Sequence, residues 1–328
     1  MKKLDSLNQF VNRYLTLFVL VSVMISLLIP APFSAMGKVS FGTLHFGTHA
    51  FTLSLTSIML MIIMLGAGCS ISVKEILGVI HRPQDLIVSI LSKYIMMAVG
   101  AWLTARILRM NDQLAFGLIL LGAMPPGTGA AVLVTLAGGE ISFGVALCVL
   151  CTLLAPVASP LLTLLLGGAR VEVDLISMVI NITIVVLIPI VTGIFLRSTF
   201  RDRLQNFRRV LTTFSLLSVF LIICNSTAPN KDVILSVDAL IVILALTLNF
   251  VIAVAGVTFV TRILRMNRDR ADAAVLVSSE QNNALAVGIA AGFADAPAVA
   301  IPPIIAVALN FALAAVLTNI LARRKKNI

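Results

Sequence analysis

Apolar runs close to the roughly 20 residues that cross a bilayer follow one another along this chain. They fall at about 14–30, 50–68, 86–105, 114–136, 141–166, 173–196, 210–224, 239–261, 271–292 and 298–321. In hydrocarbon each backbone N–H and C=O must be satisfied inside the protein, which makes each run a helix. The expectation is an all-α polytopic membrane protein with ten transmembrane helices. A chain that is 59% hydrophobic and 12% charged, with mean hydropathy +1.09, is too apolar for a soluble domain. The net charge of +10 does not point to nucleic acid, because the basic residues sit in short loops between runs. When loops are assigned to alternate sides, eighteen Lys and Arg fall on the N-terminal side and five on the other, with Lys93 inside a run. The positive-inside rule then puts both termini in the cytoplasm. Short loops and no added domains fit a bacterial inner membrane.

Two minor signals are set aside. Lys2 and Lys3 ahead of Leu15–Ile29, with Ser-Ala-Met-Gly at 34–37, have the form of a signal peptide, but the internal repeat requires that run as a retained helix. Cys69, Cys148, Cys151 and Cys224 lie in or at the edges of apolar runs, so no secreted disulfide framework is implied.

The repeat is direct. Arg106-Ile-Leu-Arg-Met-Asn111 recurs as Arg262-Ile-Leu-Arg-Met-Asn267, an offset of 156. The same offset maps Gly100 to Gly256, Lys93 to Asn249, and Pro125-Pro126-Gly127 to Gln281-Asn282-Asn283. Five runs separate the copies, so they face opposite sides: an inverted repeat, residues 1–168 and 169–328. At matched places the fourth run is interrupted by Gly122-Ala-Met-Pro-Pro-Gly-Thr-Gly129 and the ninth by Ser278-Ser-Glu-Gln-Asn-Asn283. Paired broken helices in inverted repeats are the pattern of secondary transporters.

These interruptions are where chemistry is expected. Glu280 is the one acid inside a run, the other thirteen Asp and Glu lying in loops, tails or at run ends, and Lys93 is the one lysine; each costs roughly 2.5–3.5 kcal/mol at a helix centre. They form either an ion pair that holds two helices together or a site for substrate or coupling ion, and the second reading is preferred. A break frees carbonyls to act as cation ligands and leaves partial positive charge at the following half-helix. The candidate binding residues are Lys93, Pro126, Gly127, Thr128, Gly129, Asn249, Glu280, Gln281, Asn282 and Asn283. Cys148-x-x-Cys151 reads as packing, because no further Cys or His ligand accompanies it. Asn181 and Asn310 either line a cavity or bond across helices. His45, His49 and His81 fall in expected loops, and no Ser-His-Asp, metal-ligand or phosphate-cradling motif occurs. Neither an enzyme nor an organic cofactor is expected.

Pro125-Pro126-Gly127-Thr128, Glu280-Gln281-Asn282, Pro189 with Gly193, and Ala296-Pro297-Ala-Val-Ala-Ile-Pro302 together resemble the bile acid:sodium symporter family over nearly the whole chain. The resemblance implies a panel domain of helices 1, 2, 6 and 7 and a core domain of helices 3, 4, 5, 8, 9 and 10, with helices 4 and 9 unwound where they cross. It implies transport of organic anions, bile acids in some members and small carboxylates such as pantoate or 2-oxo acids in others, usually with sodium. A sodium ion would then lie near Thr128, Glu280 and Gln281. The departures matter as much. Ala130-Ala131 stands where sodium-coupled relatives have Ser-Asn, Gly144 and Cys148 replace fifth-helix hydroxyls, Val277 replaces an acid found one turn before Glu280, and Lys93 replaces a glutamine. An ammonium there can occupy a sodium ion's place. The expected function is secondary transport of a small organic anion by alternating access, coupled to Na+ or, with these altered ligands, to H+ or to neither. A passive channel or membrane sensor on the same scaffold is the alternative, and ten-helix exporters of arsenite or weak acids fit less well.

Overall fold

A computed structural model of the protein describes residues 15–71, 83–127, 129–168, 170–172, 174–200, 205–231, 238–293 and 295–326. Within these, helix dominates: α1 (Leu15–Leu28), α2 (Pro30–Gly37), α3 (Leu55–Ser70), α4 (Pro83–Ile107), α5 (Asp112–Ala123), α6 (Ala130–Leu136), α7 (Ile141–Gly167), α8 (Leu175–Ile182), α9 (Ile188–Phe200), α10 (Gln205–Thr227), α11 (Asp238–Ile263), α12 (Arg268–Ser279), α13 (Asn283–Ala290) and α14 (Ile301–Lys326). Among the described residues, six stretches are long and apolar enough to cross a membrane: Pro83–Ile107, Ile141–Gly167, Leu175–Phe200, Val210–Thr227, Ala239–Ile263 and Pro297–Arg324. Leu55–Ser70 and Asp112–Ala123 are shorter apolar helices. Large apolar side chains point outward along them, among them Val157, Leu161 and Leu165 of α7 and Leu240, Leu244 and Val251 of α11. Water does not favour a surface of this kind; the chain is an integral membrane protein.

One expectation is corrected. The second run does not begin as helix at residue 50, because a hairpin, β1 (Ser40–Phe46) and β2 (His49–Ser54), precedes α3. Aromatic and β-branched residues alternate here with polar ones, a period of two that suits a strand. Gly47, at φ +64°, opens the two-residue turn between Phe46 and His49, which needs a left-handed residue. His45 and His49 therefore lie on strands, and His81 lies outside the described residues. Ser54 then caps α3, accepting from the Ser57 amide at 3.1 Å.

Other local features follow from single residues. The path from α8 to α9 passes through a π turn at Thr183–Leu187. It lies just ahead of Pro189, which lacks an N–H and crowds the carbonyl four residues back. The two copies of the repeated hexapeptide take one conformation: Arg109 and Arg265 both have φ +48°. In each copy the next amide reaches back to close the preceding helix, Met110 to Ala105 O and Met266 to Thr261 O, both at 3.0 Å. Asn111 and Asn267 then cap α5 and α12, accepting from the Leu114 and Asp269 amides at 2.9 Å.

Packing divides the helices into two groups. In one, α3 packs on α9 and α10, and α10 on α1. Gly68 and Gly193 let the backbones of α3 and α9 touch: a Cβ added to Gly68 would lie 2.3 Å from Ile190 O, and one added to Gly193 2.5 Å from Leu65 O. In the other group α4 packs on α11, α5 and α7, and α11 on α12 and α14. Arg270, at the start of α12, bonds Glu140 at 2.8 and 3.2 Å and Asp85 at 2.9 Å, tying one end of α12 to the starts of α4 and α7.

Candidate functional site

The α5–α6 and α12–α13 breaks meet in the second group of helices. α5 stops at Ala123 because Pro125 and Pro126 cannot continue it. α12 stops at Ser279, and Glu280 is extended (φ −111°, ψ 114°). Pro126 and Gln281 pair as an antiparallel bridge. The Gly127 amide donates to Glu280 O at 3.2 Å and the Asn282 amide to Pro125 O at 2.8 Å. Each break thus satisfies part of the other's backbone, which hydrocarbon would leave unpaired. Only glycine fits at 127, since a Cβ there would lie 2.9 Å from Gln281 O and 3.2 Å from Glu280 Oε1.

Side chains fix the polar half. Asn282 caps α13, its Oδ1 accepting from the Leu285 amide at 3.1 Å, and its Nδ2 lies 4.0 Å from Met64 Sδ. Asn310 of α14 donates to Gln281 Oε1 at 2.8 Å and to Asn283 Oδ1 at 3.3 Å, while Gln281 donates to Ser278 O at 3.2 Å. Gln281, Asn282 and Asn283 are therefore held in place before any ligand arrives. Glu280 is 6% exposed, and among the described residues its Oε2 has no hydrogen-bond partner. An unsatisfied carboxylate oxygen at this depth is costly and marks a place where a ligand would repay it.

Lys93 is 0% exposed. Its ammonium donates to the carbonyl of Met124, the residue between the end of α5 and Pro125, and lies 4.4 Å from the Tyr94 ring centroid. Tyr94 is itself held by a 2.7 Å bond from its hydroxyl to Cys151 O. No ion pair joins Lys93 to Glu280: among the described residues the ammonium pairs with no carboxylate. The ion-pair reading is thereby overturned, and the lysine serves the break's backbone instead.

Of the expected residues, Lys93, Pro126, Gly127, Glu280, Gln281, Asn282 and Asn283 are brought together. Gly129 begins α6, its face toward Glu280 Oε1 and Phe311. Thr128 lies outside the described residues. Asn249 is buried on α11. Its Oδ1, without a hydrogen-bond partner among the described residues, faces Gly100, where a Cβ would lie 2.7 Å away. Gly100 is two turns along α4 from Lys93, roughly 10 Å.

Two cavities lie at opposite ends of α3, and one of them reaches the crossing. One, of about 410 Å³, lies between the two packing groups and reaches Pro126 and Gly127; its lining includes Ser70, Cys148, Thr152 and Ser215. Ser70, Thr152 and Ser215 escaped the sequence reading, since isolated hydroxyls in apolar runs look like ordinary packing. The other, of about 920 Å³, lies beneath the hairpin and is lined by Ser54, Ser57, Asp112, Arg170, Asp174 and Gly288 among others. Arg170 bonds Asp112 at 2.8 Å there, and His49 Nδ1 lies 2.9 Å from Asp174 Oδ2. The Ser177 hydroxyl and amide, with His49, hold the Asp174 carboxyl down to about 2. Among the described residues no group of His, Cys, Asp and Glu could hold a metal ion.

The pattern of the Sodium Bile acid symporter family matches residues 57–237, more than half of the chain. An "uncharacterized sodium-dependent transporter", YocS of Bacillus subtilis, is 28% identical over 237 residues, 72% of this chain and 74% of its own. A "probable sodium/metabolite cotransporter", the chloroplastic BASS1 of Arabidopsis thaliana, is 26% identical over 268 residues, 82% of this chain and 67% of its own. Sodium/bile acid cotransporter 4 of Mus musculus is 26% identical over 194 residues, and this chain covers only 44% of it. These are transporters rather than enzymes, and the chain belongs to the sodium bile acid symporter family.

Proposed function

We propose that the protein is a secondary transporter that carries a small organic anion across the bilayer by alternating access, with the crossing of the two breaks as its binding site. The observation that carries this reading is the pair of cavities at opposite ends of α3, one of which reaches Pro126 and Gly127. A volume of about 410 Å³ lies in the lower part of the range for small-molecule sites, roughly 300–1,000 Å³. It suits a small carboxylate, such as pantoate or a 2-oxo acid, better than a bile acid. In this reading the partial positive charge at the start of α13 attracts the carboxylate, and the hydroxyls of Thr152 and Ser215 meet the rest. Gln281, Asn282, Asn283 and Gly129 are assigned to the site from the crossing, and Thr128 from its place in the sequence.

The architecture in this reading is ten helices in two inverted repeats, residues 1–168 and 169–328. Two features favour it: the shared conformation of the hexapeptides, and element boundaries that recur at the same offset. Shifting Asp112–Ala123 by 156 gives Arg268–Ser279, the bounds of α12. The group around α3, α9 and α10 acts as the panel, and the group around α4, α5, α7, α11, α12 and α14 as the core that carries the site. Both termini are cytoplasmic, in a bacterial plasma membrane.

Sodium coupling is the first reading, because relatives are named for it. A second reading has one specific support: the buried Lys93 ammonium on the Met124 carbonyl, where a broken helix offers its carbonyl to a cation. There the fixed charge replaces an ion, and transport runs with protons or without a coupling ion. Uptake of radiolabelled carboxylates into proteoliposomes tests both, under an imposed sodium gradient, a pH gradient or neither. Accumulation against the solute gradient supports a coupled transporter; equilibration with counterflow would mean uncoupled exchange, equilibration without counterflow a passive pore, and binding without flux a sensor. A sodium gradient that drives uptake selects the first coupling, and a pH gradient selects the second.

A further inference from the structure

We infer that the protein holds an anionic phospholipid in a crevice at the membrane surface, formed where the ends of α11, α12 and α14 come together. The crevice, of about 520 Å³, is lined by Arg262 from the end of α11, Arg268 from the start of α12 and Arg324 from the end of α14. None of the three pairs with a carboxylate among the described residues. Asp272 is the one acid in the lining, which leaves a surplus of two positive charges. Three arginines lining one crevice from three helices suit a phosphate monoanion, which arginine binds through forked donors.

The rest of the lining says why the anion is a lipid. Below the arginines the wall is Val254, Val275, Leu317, Ile320 and Leu321. Val254 lies eight residues before Arg262 on one helix and Leu317 seven before Arg324 on another. At 1.5 Å per residue these walls run roughly 10–12 Å away from the charges, into the depth where acyl chains lie. A soluble anion would use the charged mouth and leave this apolar wall bare. A phospholipid uses both, headgroup on the arginines and one chain along α11 and α14. Basic pockets between helix ends are where anionic headgroups bind. The inference is independent of the transported solute.

The test is the melting temperature of the purified full-length protein in neutral detergent, titrated with phosphatidylglycerol, with phosphatidylcholine of the same chains, and with inorganic phosphate. Phosphatidylglycerol should stabilise saturably and the other two should not. Two double variants remove equal charge: Arg262→Gln with Arg324→Gln inside the crevice, and Arg265→Asn with Arg323→Gln outside it. The first should need about thirtyfold more phosphatidylglycerol, from about 1 kcal/mol per basic residue and 1.4 kcal/mol per factor of ten. The second should shift the midpoint no more than about threefold, and Arg262→Lys with Arg324→Lys should retain most of the response. Equal shifts in both Gln-containing variants would mean diffuse surface charge and overturn the inference. So would an equal response to phosphatidylcholine, a response to phosphate alone, or no response to phosphatidylglycerol.

Discussion

Lys93→Ala separates the two coupling readings most cleanly. The substitution removes three methylenes of a fully buried stem, roughly 0.8 kcal/mol each. It also removes a hydrogen bond from a charged donor to the Met124 carbonyl, about 1.5–3 kcal/mol. Relief of a desolvated charge offsets several kcal/mol of that, so in choline chloride the net loss should be modest, on the order of 1–2 kcal/mol. Salt then decides the matter. If the ammonium stands in an ion's place, the variant leaves a space bordered by the Met124 carbonyl that sodium can enter. A sodium ion bound there with a Kd of about 10 mM would add about 1.4 kcal/mol at 100 mM. At roughly 2 cal/mol/K per residue, that raises the melting temperature by about 2 °C. Lys93→Met fills the space and should show no sodium response, and wild type should show none either. The measurement is a melting curve in sodium chloride against choline chloride at equal ionic strength. Sodium stabilisation of wild type equal to that of Lys93→Ala would refute the reasoning, because an occupied place cannot take the ion.

Three further outcomes follow from the geometry. Gly127→Ala forces a methyl to 2.9 Å from Gln281 O; it should cost about 1–3 kcal/mol of stability by overpacking and abolish carboxylate-induced stabilisation in the same melting assay. Glu280→Gln keeps the shape but removes the titratable group, so a pH-gradient-driven uptake that depends on this residue should fall at least tenfold, while unchanged uptake would exclude Glu280 as a proton carrier. Asp174→Ala removes the cap of α8 and the partner of His49, about 1 kcal/mol at pH 7. Asp174 titrates lower in the folded than in the unfolded chain, so its contribution is full above about pH 4 and fades as pH falls toward about 2. The stability gap between variant and wild type should close over that interval.

Much of this was legible because lipid is a strict solvent. It allows so few backbone arrangements that the apolar runs mark the helices, and the Pro-Pro-Gly and Ser-Ser-Glu-Gln-Asn-Asn stretches could only be breaks. The identical hexapeptides pointed to matched halves, and the structure gives them one conformation. What was not legible depended on short side chains and three-dimensional reach. The β1–β2 hairpin hid in a sequence apolar enough to extend a helix, and its period of two covers only a few residues. Lys93 and Glu280 looked like natural partners by charge, yet the lysine meets a carbonyl because Met124 lies within its reach. The hydroxyls of Thr152 and Ser215 carried no signal until α7 and α10 were placed around one cavity.

The bridge between Pro126 and Gln281 has a mechanical consequence. Two interrupted helices would ordinarily be the softest parts of a bundle, each free to bend at its gap. Here the Gly127 and Asn282 amides stitch the gaps to each other, and Asn310 braces the stitch from α14. Bending at one gap would tear the other, so the crossing behaves as a rivet rather than a hinge. Under the proposed alternating access, exposure to one face and then the other would come from sliding of the whole riveted body along the surface of α3 and α10, where the cavity is lined by the small residues Gly66, Ala67 and Ser215.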